Sequence, residues 1–379
     1  MLTMKRIEFG ELVIGDIARE NLMHVCDTNW ASGGPKVKQL EKEWSEIFNY
    51  KRSIAMSSGT DGVINACLAL YDITGAKRGD EVIVPALSFI ATSNAVRAAG
   101  FTPVFVDVNK ETLNIDESKI EDAITFRTVA IMPVHTMGRP AEMDIICDLG
   151  ERYNLVIIED ACEAHGATYK DKFIGHWGDM SVYSYYIAHL VCCGEGGMVS
   201  VNDDHLADVL ASCRSHGRPF NSIYFDHQRV GYNSKMNDLE ASIGLEAIGV
   251  FWETFNTRHA TMKRMRAAAV GFEDIAFFSE EDEGNRNCPH GFSITCKEAG
   301  KIELVKGVFD KYNIHHKRNF GSIPTQHRAF ADMEYCLGDF PEAEWVGDNG
   351  IHIGCHQHLS EDDIQRIEIT IKEALEACR

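Results

Sequence analysis

Residues 53–62 have the sequence SIAMSSGTDG, and this stretch decides how the fold is interpreted. Ser53–Met56 is an apolar run with the length of a buried strand, and it leads into a turn of small and polar residues. From Asp61 to Tyr71, apolar residues recur at helical spacing. A strand, a tight turn and a helix in direct succession are the building unit of parallel α/β sheets, so we predict a doubly wound α/β domain.

The alternation of short β-branched runs with helix-compatible stretches continues to about residue 250, and it predicts parallel strands joined by helical crossovers. The predicted strands are Ser53–Met56, Glu81–Val84, Pro103–Val108, Val129–Val134, Leu155–Ile158, Ser181–Ser184 and Met198–Val201. The predicted helices are Asp61–Tyr71, Ser88–Ala99, Asp116–Ile124, Met143–Arg152 and Asp204–Ser215.

A second pattern follows Gly249. It predicts a helix over Asn256–Val270, a strand over Gly291–Cys296, a helix over Lys301–Tyr312, a strand near Ile314–Lys317 and a closing helix from Glu361. We therefore expect a large domain over residues 1–250 and a smaller C-terminal α/β domain over residues 251–379.

The composition excludes several classes of function. The 379 residues carry 57 acidic and 37 basic side chains, a formal net charge of −20, which argues against nucleic acid or an anionic membrane as partner. No apolar run approaches the roughly 20 residues that span a bilayer, and the first residues lack the apolar core of a signal peptide. We expect a cytoplasmic protein whose 12 cysteines are reduced and bind no metal.

Two predicted strand ends carry groups suited to a ligand. The turn that contains Gly59, Thr60 and Asp61 lies at a helix N-terminus, where free N–H groups can hold a phosphate. Asp160 follows the apolar run at Leu155–Ile158, and a carboxylate there can pair with a protonated ring nitrogen. An ordinary turn and a helix-capping Asp160 are the alternatives. Together the two features suggest a phosphorylated heterocycle.

Residues 184–199, SYYIAHLVCCGEGGMV, complete the pattern. They resemble the signature of the DegT/DnrJ/EryC1/StrS family of sugar aminotransferases, in which Ser-aromatic-x-x-x-Lys precedes Gly-Glu/Asp-Gly-Gly. In that family the lysine forms a Schiff base with pyridoxal phosphate (PLP). Here the position is His189, and no lysine occurs between Lys172 and Lys235.

The resemblance implies an aspartate-aminotransferase-like fold, fold-type I, with a mostly parallel sheet in the large domain. An imidazole can move protons near neutral pH but cannot bind an aldehyde stably, so PLP or its amine form, pyridoxamine phosphate (PMP), would be held non-covalently. Histidine at this position is typical of the PMP-dependent nucleotide-sugar 3-dehydratases of deoxysugar biosynthesis. No iron–sulfur cluster is expected, because Cys192, Cys193 and Cys213 do not supply four thiolates.

The resemblance also implies the roles of individual residues. L-glutamate would convert PLP to PMP, and His189 would be the acid and base in removing the 3-hydroxyl of a nucleotide-activated 4-keto sugar. Asn233 would reach the cofactor phosphate of a neighbouring subunit, which implies a homodimer with shared active sites. The residues expected to bind the cofactor are Gly59, Thr60, Asp61, Phe89 (stacked on the ring), Asp160, Glu163, Ser184 and Asn233.

Three interpretations compete with the dehydratase. They are a nucleotide-sugar aminotransferase that tolerates His189, a catalytically silent homologue that still binds PLP, and a histidine introduced artificially. His216, His327 and His356 are candidates for substrate contacts, although each of them can equally be structural.

Overall fold

The computed structural model describes residues 4–219 and 226–379. Within these residues, strands β1 to β5, β8 and β9 form a large sheet, β6 and β7 form a short ribbon, and β10 to β13 form a second sheet. The strands are β1 (Arg52–Met56), β2 (Glu81–Pro85), β3 (Thr102–Val106), β4 (Thr128–Ile131), β5 (Val156–Asp160), β6 (Thr168–Tyr169), β7 (Lys172–Phe173), β8 (Met180–Ser184), β9 (Gly197–Val201), β10 (Ala276–Phe278), β11 (Gly291–Cys296), β12 (His316–Arg318) and β13 (Gly350–Gly354).

Helices surround both sheets. They are α1 (Asp16–Thr28), α2 (Pro35–Phe48), α3 (Gly59–Ile73), α4 (Ala91–Ala99), α5 (Met143–Tyr153), α6 (Asp204–Cys213), α7 (Asp238–Gly249), α8 (Phe251–Ala268), α9 (Lys301–Lys311), α10 (Ile323–Gln326), α11 (Pro341–Asn349) and α12 (Glu361–Glu376). In the part of the chain that is described, none of these helices is long and apolar enough to cross a membrane.

The large sheet has the order β1-β9-β8-β5-β4-β2-β3 and is mostly parallel. Neighbouring strands from β8 to β3 run parallel, whereas β9 runs antiparallel to both β1 and β8. Two antiparallel steps leave β1 pointing the same way as β8. The carboxyl ends of β1, β8, β5, β4, β2 and β3 therefore lie at one edge of the sheet, together with the beginning of β9.

Alternating side chains along the strands of the large sheet build two cores, as the period of two requires. Ile54 and Met56 pack with α3, α4 and α6 on one face, and Ala55 packs with α2, α5 and α7 on the other. The sheet is thus the middle layer of three. This burial on both faces explains why its strands are almost uniformly apolar.

Most predicted elements are confirmed to within a few residues at their ends, but Asp116–Ile124 is not an α-helix. Two 3-10 turns, Glu117–Lys119 and Glu121–Ala123, occupy this stretch. The Asp116 carboxylate accepts hydrogen bonds from the Ser118 N–H and hydroxyl. Such local side-chain bonds compete with helical ones.

The predicted parallel crossover to Met198–Val201 is also wrong, because β9 is antiparallel to β8. Residues 185–196 connect the two strands as an irregular loop. Gly194 and Gly196 adopt φ angles of 88° and 151° in that loop, a backbone conformation that favours glycine, and they let the chain reverse without a helix. His189 lies in this loop.

A third core fills the space between the second sheet and α8, α9 and α12. It includes Ile7 from the N-terminal segment, while Ile323, Phe330 and Val346 pack instead into a core of the large sheet. The division of the chain at residue 250 stays a prediction.

Candidate active site

Small and polar residues meet at the carboxyl edge of the large sheet. Gly59 follows β1, Ser184 ends β8, Asp160 ends β5 and Phe89 follows β2. Ligands of open α/β sheets bind outside this edge, where successive loops diverge.

The turn between β1 and α3 is shaped to hold an anion. Ser58 caps the helix, since its Oγ accepts a hydrogen bond from the Asp61 N–H at 3.0 Å. The N–H groups of Gly59 and Thr60, the first two helical residues, precede any intrahelical acceptor. These N–H groups form the positive end of the helix dipole, so this turn can bind a phosphate.

Gly59 is required at this turn by its neighbours. A Cβ atom there would lie 2.7 Å from Ser184 Cβ and 3.1 Å from Cys162 Sγ. A Cβ on Gly197, at the start of β9, would lie 2.5 Å from the carbonyl carbon of Ser58. The absence of side chains at both glycines therefore lets three strand ends approach one another.

Asp61 points its carboxylate back into the turn, where Oδ2 accepts hydrogen bonds from the hydroxyls of Ser57 and Ser58. The carboxylate fixes these two hydroxyls beside the free N–H groups. A direct contact between Asp61 and the cofactor stays a prediction.

Replacing Gly59 with alanine should weaken PLP binding about tenfold to a hundredfold. The added methyl group must displace Ser184 or Cys162, and overpacking of this kind costs about 1–3 kcal/mol. Isothermal titration calorimetry of the cofactor-free protein with PLP measures the effect. Gly249→Ala is the matched control, because a Cβ there meets no atom within 4 Å. Unchanged affinity in Gly59→Ala would show that the phosphate binds elsewhere.

Asp160 is a buried carboxylate at the end of β5. Its Oδ2 accepts a hydrogen bond from Thr92 Oγ1 at 2.8 Å, and its Oδ1 accepts one from the Cys162 N–H at 3.3 Å. Burial raises the pKa of Asp160, and no cationic side chain pairs with it among the described residues. A protonated ring nitrogen would supply the missing positive charge.

His189 lies in the loop between β8 and β9 with 8% of its surface exposed. Its ring stacks between those of His165 and His290, with centroids 5.6 and 5.0 Å away. Its Nδ1 has no hydrogen-bond partner within the described ranges. Burial, followed by the charges of His290, His165 and Arg258, holds the pKa of His189 well below its ordinary value. The imidazole is therefore neutral and able to accept a proton.

Hydrogen bonds from another element hold the backbone of the His189 loop in place. Arg258 of α8 donates to the carbonyls of Ala188 and His189 at 2.9 and 3.2 Å, and to Gln357 Oε1 at 2.8 Å. The Tyr185 N–H donates to the Gly196 carbonyl at the base of the loop. The position of residue 189 is thus fixed by contacts that do not involve its side chain.

Glu163 connects the edge of the sheet to His290. Its Oε2 accepts a hydrogen bond from the Met137 N–H at 2.7 Å, and its Oε1 lies 3.3 Å from His290 Nε2. Burial alone would raise the pKa of Glu163, but His290 and the Met137 N–H outweigh it and the pKa is lowered. Glu163 is accordingly an anion in the site.

Phe89 and Ser184 are accessible at the same edge. Phe89 is 61% exposed and its ring meets the edge of the Phe320 ring at a centroid distance of 6.4 Å, so it is not a core residue. Ser184 is half-buried, and its hydroxyl accepts a long hydrogen bond from the Tyr186 N–H at 3.4 Å. Both side chains are free to contact a ligand.

The remaining predicted residues are spread around this centre. Asn233 is exposed. It lies beside the turn between β1 and α3, because the carbonyl of its neighbour Ser234 accepts a hydrogen bond from the Ser57 N–H. His216 is exposed nearby, and its N–H donates to the Tyr232 carbonyl. His327 is half-buried, and burial and Arg318 lower its pKa. His356 is buried, which lowers its pKa to about 4, and its role stays a prediction.

Sequence reasoning missed four residues of the site. His165 and His290 stack on His189, Arg258 holds its loop, and Lys317 of β12 places an ammonium 4.3 Å from the centre of the Phe9 ring. Burial lowers the pKa of Lys317, and Glu163 opposes that shift. With 16 histidines in the chain, spacing offered no signal that could have singled out His165 or His290.

The residues present fit a phosphorylated cationic ring. An anion-binding turn, a buried carboxylate without a cationic partner and an exposed aromatic ring lie at one sheet edge, and a proton acceptor lies among them. In the described part of the chain, no three His, Cys, Asp or Glu side chains are arranged to hold a metal. The fold and the residues at this edge fit the sugar-aminotransferase type that the sequence resembles.

The comparisons with known proteins identify the family. The chain belongs to the DegT/DnrJ/EryC1/StrS aminotransferase family, whose sequence model matches residues 14–372. It is 41% identical to GDP-perosamine synthase of Caulobacter vibrioides, with 99% of this chain and 100% of that protein covered. It is 30% identical to GDP-4-keto-6-deoxy-D-mannose 3-dehydratase of Yersinia pseudotuberculosis, with 93% and 94% covered.

A solved structure confirms the fold. The PMP form of a Streptococcus pneumoniae protein described as a sugar aminotransferase superposes with a TM-score of 0.88 at 23% identity, covering 98% of each chain. The aspartate-aminotransferase-like architecture predicted from the sequence is therefore confirmed.

Proposed function

We propose that this enzyme is a PMP-dependent nucleotide-sugar 3-dehydratase. It would remove the 3-hydroxyl of a nucleotide-activated 4-keto-6-deoxyhexose and release the 3-deoxy-4-keto sugar and ammonia, with L-glutamate regenerating PMP. The observation that carries the proposal is His189, a neutral imidazole held where the family signature has its lysine. The 30% identical relative is a 3-dehydratase by name.

The cofactor is PLP or its PMP form, and the residues that would hold it are those at the sheet edge. Gly59 and Thr60 would bind the phosphate, Asp160 the ring nitrogen, and Phe89 the face of the ring. When bound, PMP supplies a primary amine that condenses with a keto group and a ring that accepts an electron pair.

His189 is the residue that moves protons. As a neutral base it takes the proton from C4′ of the cofactor, and as an imidazolium it then protonates the departing 3-hydroxyl oxygen. The cationic neighbours Arg258 and Lys317 make the imidazolium a strong acid, which favours the second transfer. The low pKa of His189 keeps the imidazole unprotonated before the first transfer and makes the resulting imidazolium a good proton donor in the second.

Asp160 and Lys317 do not transfer protons during the reaction. They stabilise charged groups on the cofactor and the substrate. The buried carboxylate of Asp160 holds a proton on the ring nitrogen, which keeps the ring able to accept electrons. Lys317 forms no hydrogen bond or ion pair with a carboxylate in the described residues, so its half-buried ammonium is available to an anionic substrate such as L-glutamate.

Histidine also explains why the outcome is elimination. A lysine at position 189 could bind PLP covalently and favour release of an amino sugar. An imidazole cannot form that bond, so His189 would leave a bound cofactor non-covalent and would not favour release of an amino sugar.

An aminotransferase is the second candidate, because the chain is 41% identical to GDP-perosamine synthase, an aminotransferase. A silent PLP-binding homologue is a third. Three features support a working catalytic site over a silent homologue. They are the turn between β1 and α3, the buried Asp160 and the His189 Nδ1 without a hydrogen-bond partner in the described residues.

The active enzyme would be a homodimer with Asn233 shared between subunits. Two exposed aromatic side chains support this, namely Tyr186 in the His189 loop and Tyr232 next to Asn233.

The product identifies the reaction directly. Incubating the protein with PLP, L-glutamate and GDP-4-keto-6-deoxy-mannose should give a nucleotide sugar that has lost one oxygen, together with free ammonia. Mass spectrometry of the nucleotide sugar measures this. Exchange of the keto oxygen for an amine would instead establish the aminotransferase. If this substrate is unchanged, the assay extends to the CDP, UDP and dTDP sugars, and no turnover of any of them would favour the silent homologue.

A further inference from the structure

Three histidine rings from distant parts of the chain form one stack. His189 lies between His165, which follows β5, and His290, which precedes β11. The planes are nearly parallel, tilted by 27° and 28°, and all three rings are buried. A stack of imidazoles at 5–6 Å can carry one positive charge but resists a second.

His290 is the member of the stack whose ring lies within ion-pair distance of a carboxylate. Its Nε2 lies 3.3 Å from Glu163 Oε1, and the Met137 N–H fixes the other carboxylate oxygen. His165 has no such partner within residues 4–219 and 226–379, and burial lowers its pKa to about 3. The Glu163 carboxylate therefore faces the His290 end of the stack.

The charged and titratable groups around His189 come from every element packed against it. They are His165 after β5, Tyr186 and Cys192 in its own loop, Arg258 on α8, His290 before β11 and Lys317 on β12. Glu11, Glu246, Glu253 and His358 line the same cavity as His189. The cations among them all disfavour a second positive charge on His189. The ring of His290 is 0.6 Å nearer to that of His189 than the ring of His165 is (5.0 against 5.6 Å).

We propose that His290, ion-paired with Glu163, is a positioning residue for His189: its imidazolium packs against the His189 ring and keeps that imidazole neutral and ready to take a proton. Its value for catalysis rests on the proposed function. The protonation relation itself belongs to the cofactor-free protein and does not depend on which reaction is catalysed.

Hydrogen–deuterium exchange at histidine Cε1, followed by mass spectrometry of peptides from the cofactor-free protein, gives the pKa of each histidine. His290→Gln removes the charge but keeps a hydrogen-bonding side chain beside Glu163. We expect the pKa of His189 to rise by about one unit, because a neighbouring cation is lost. The acidic limb of kcat/KM for the loaded enzyme should move to higher pH by the same amount.

Two controls separate charge from packing. His290→Lys retains the positive charge, so the pKa of His189 should stay at the wild-type value. His352→Gln removes another buried histidine, one whose ring lies against Phe9 at 5.1 Å. It should leave His189 unchanged.

Two results would overturn the proposal. The first is an unshifted His189 in the His290→Gln variant. The second needs no variant: wild-type exchange rates that give His290 a lower pKa than His189. If the exchange results hold and no dehydration occurs, the proposed function fails while the positioning role stands.

Discussion

Replacing His189 with lysine should attach PLP covalently to the protein and reduce dehydration by at least about a hundredfold, the lower end of what a general acid or base contributes. The loop is held through the backbone by Arg258, so a lysine would occupy the same position. The burial and the cations that lower the pKa of His189 would also lower that of the new amine. A neutral amine is the form that reacts with an aldehyde.

Borohydride reduction followed by intact mass and peptide mapping detects the new bond. The mass of the reduced cofactor should appear once, on the peptide that contains position 189. His205→Lys is the matched control, because it places a lysine at an exposed position of α6, where no cofactor is held. A His189→Lys enzyme that dehydrates at the wild-type rate without covalent PLP would contradict the assigned role of His189.

Replacing His189 with asparagine should lower kcat by about 10²-fold to 10⁴-fold while PLP affinity changes little. Asparagine has a similar size but cannot accept a proton. The cofactor would keep its contacts at Gly59, Thr60 and Asp160, which lie on other loops. Ammonia release and mass spectrometry of the nucleotide sugar give the rate, and calorimetric titration with PLP gives the affinity.

His205→Asn serves as the control for this variant, since the exposed His205 on α6 lies outside the site and should leave kcat unchanged. Activity above a tenth of wild type in His189→Asn would mean that another residue moves the proton. The stacked neighbours His165 and His290 would then be the first residues to replace.

The sequence predicted the parts of the site that depend on local pattern. The turn at Gly59, the carboxylate at Asp160 and the loop around His189 each adjoin a short apolar strand, and strand ends converge once the sheet is parallel. The structure places all three at one edge. Local periodicity and turn chemistry are enough for such residues.

The rest depended on contacts between distant residues. Nothing in the helical pattern of residues 251–268 marks Arg258 as buried, and its role follows only when α8 packs against the His189 loop. His290 becomes significant through Glu163 and His189, which lie far away in sequence. The direction of β9 depended on two glycine conformations that composition alone does not specify.

The way the His189 loop is held bears on how such enzymes diverge in evolution. Its backbone is fixed by Arg258 and by the Tyr185–Gly196 hydrogen bond, so the identity of one side chain can change without moving the chain. No single-base mutation converts a histidine codon to a lysine codon. The intermediate codons specify asparagine or glutamine, and neither side chain accepts a proton. A lineage that exchanges one chemistry for the other by single-base steps therefore passes through an enzyme with asparagine or glutamine at position 189, for which we expect strongly reduced activity.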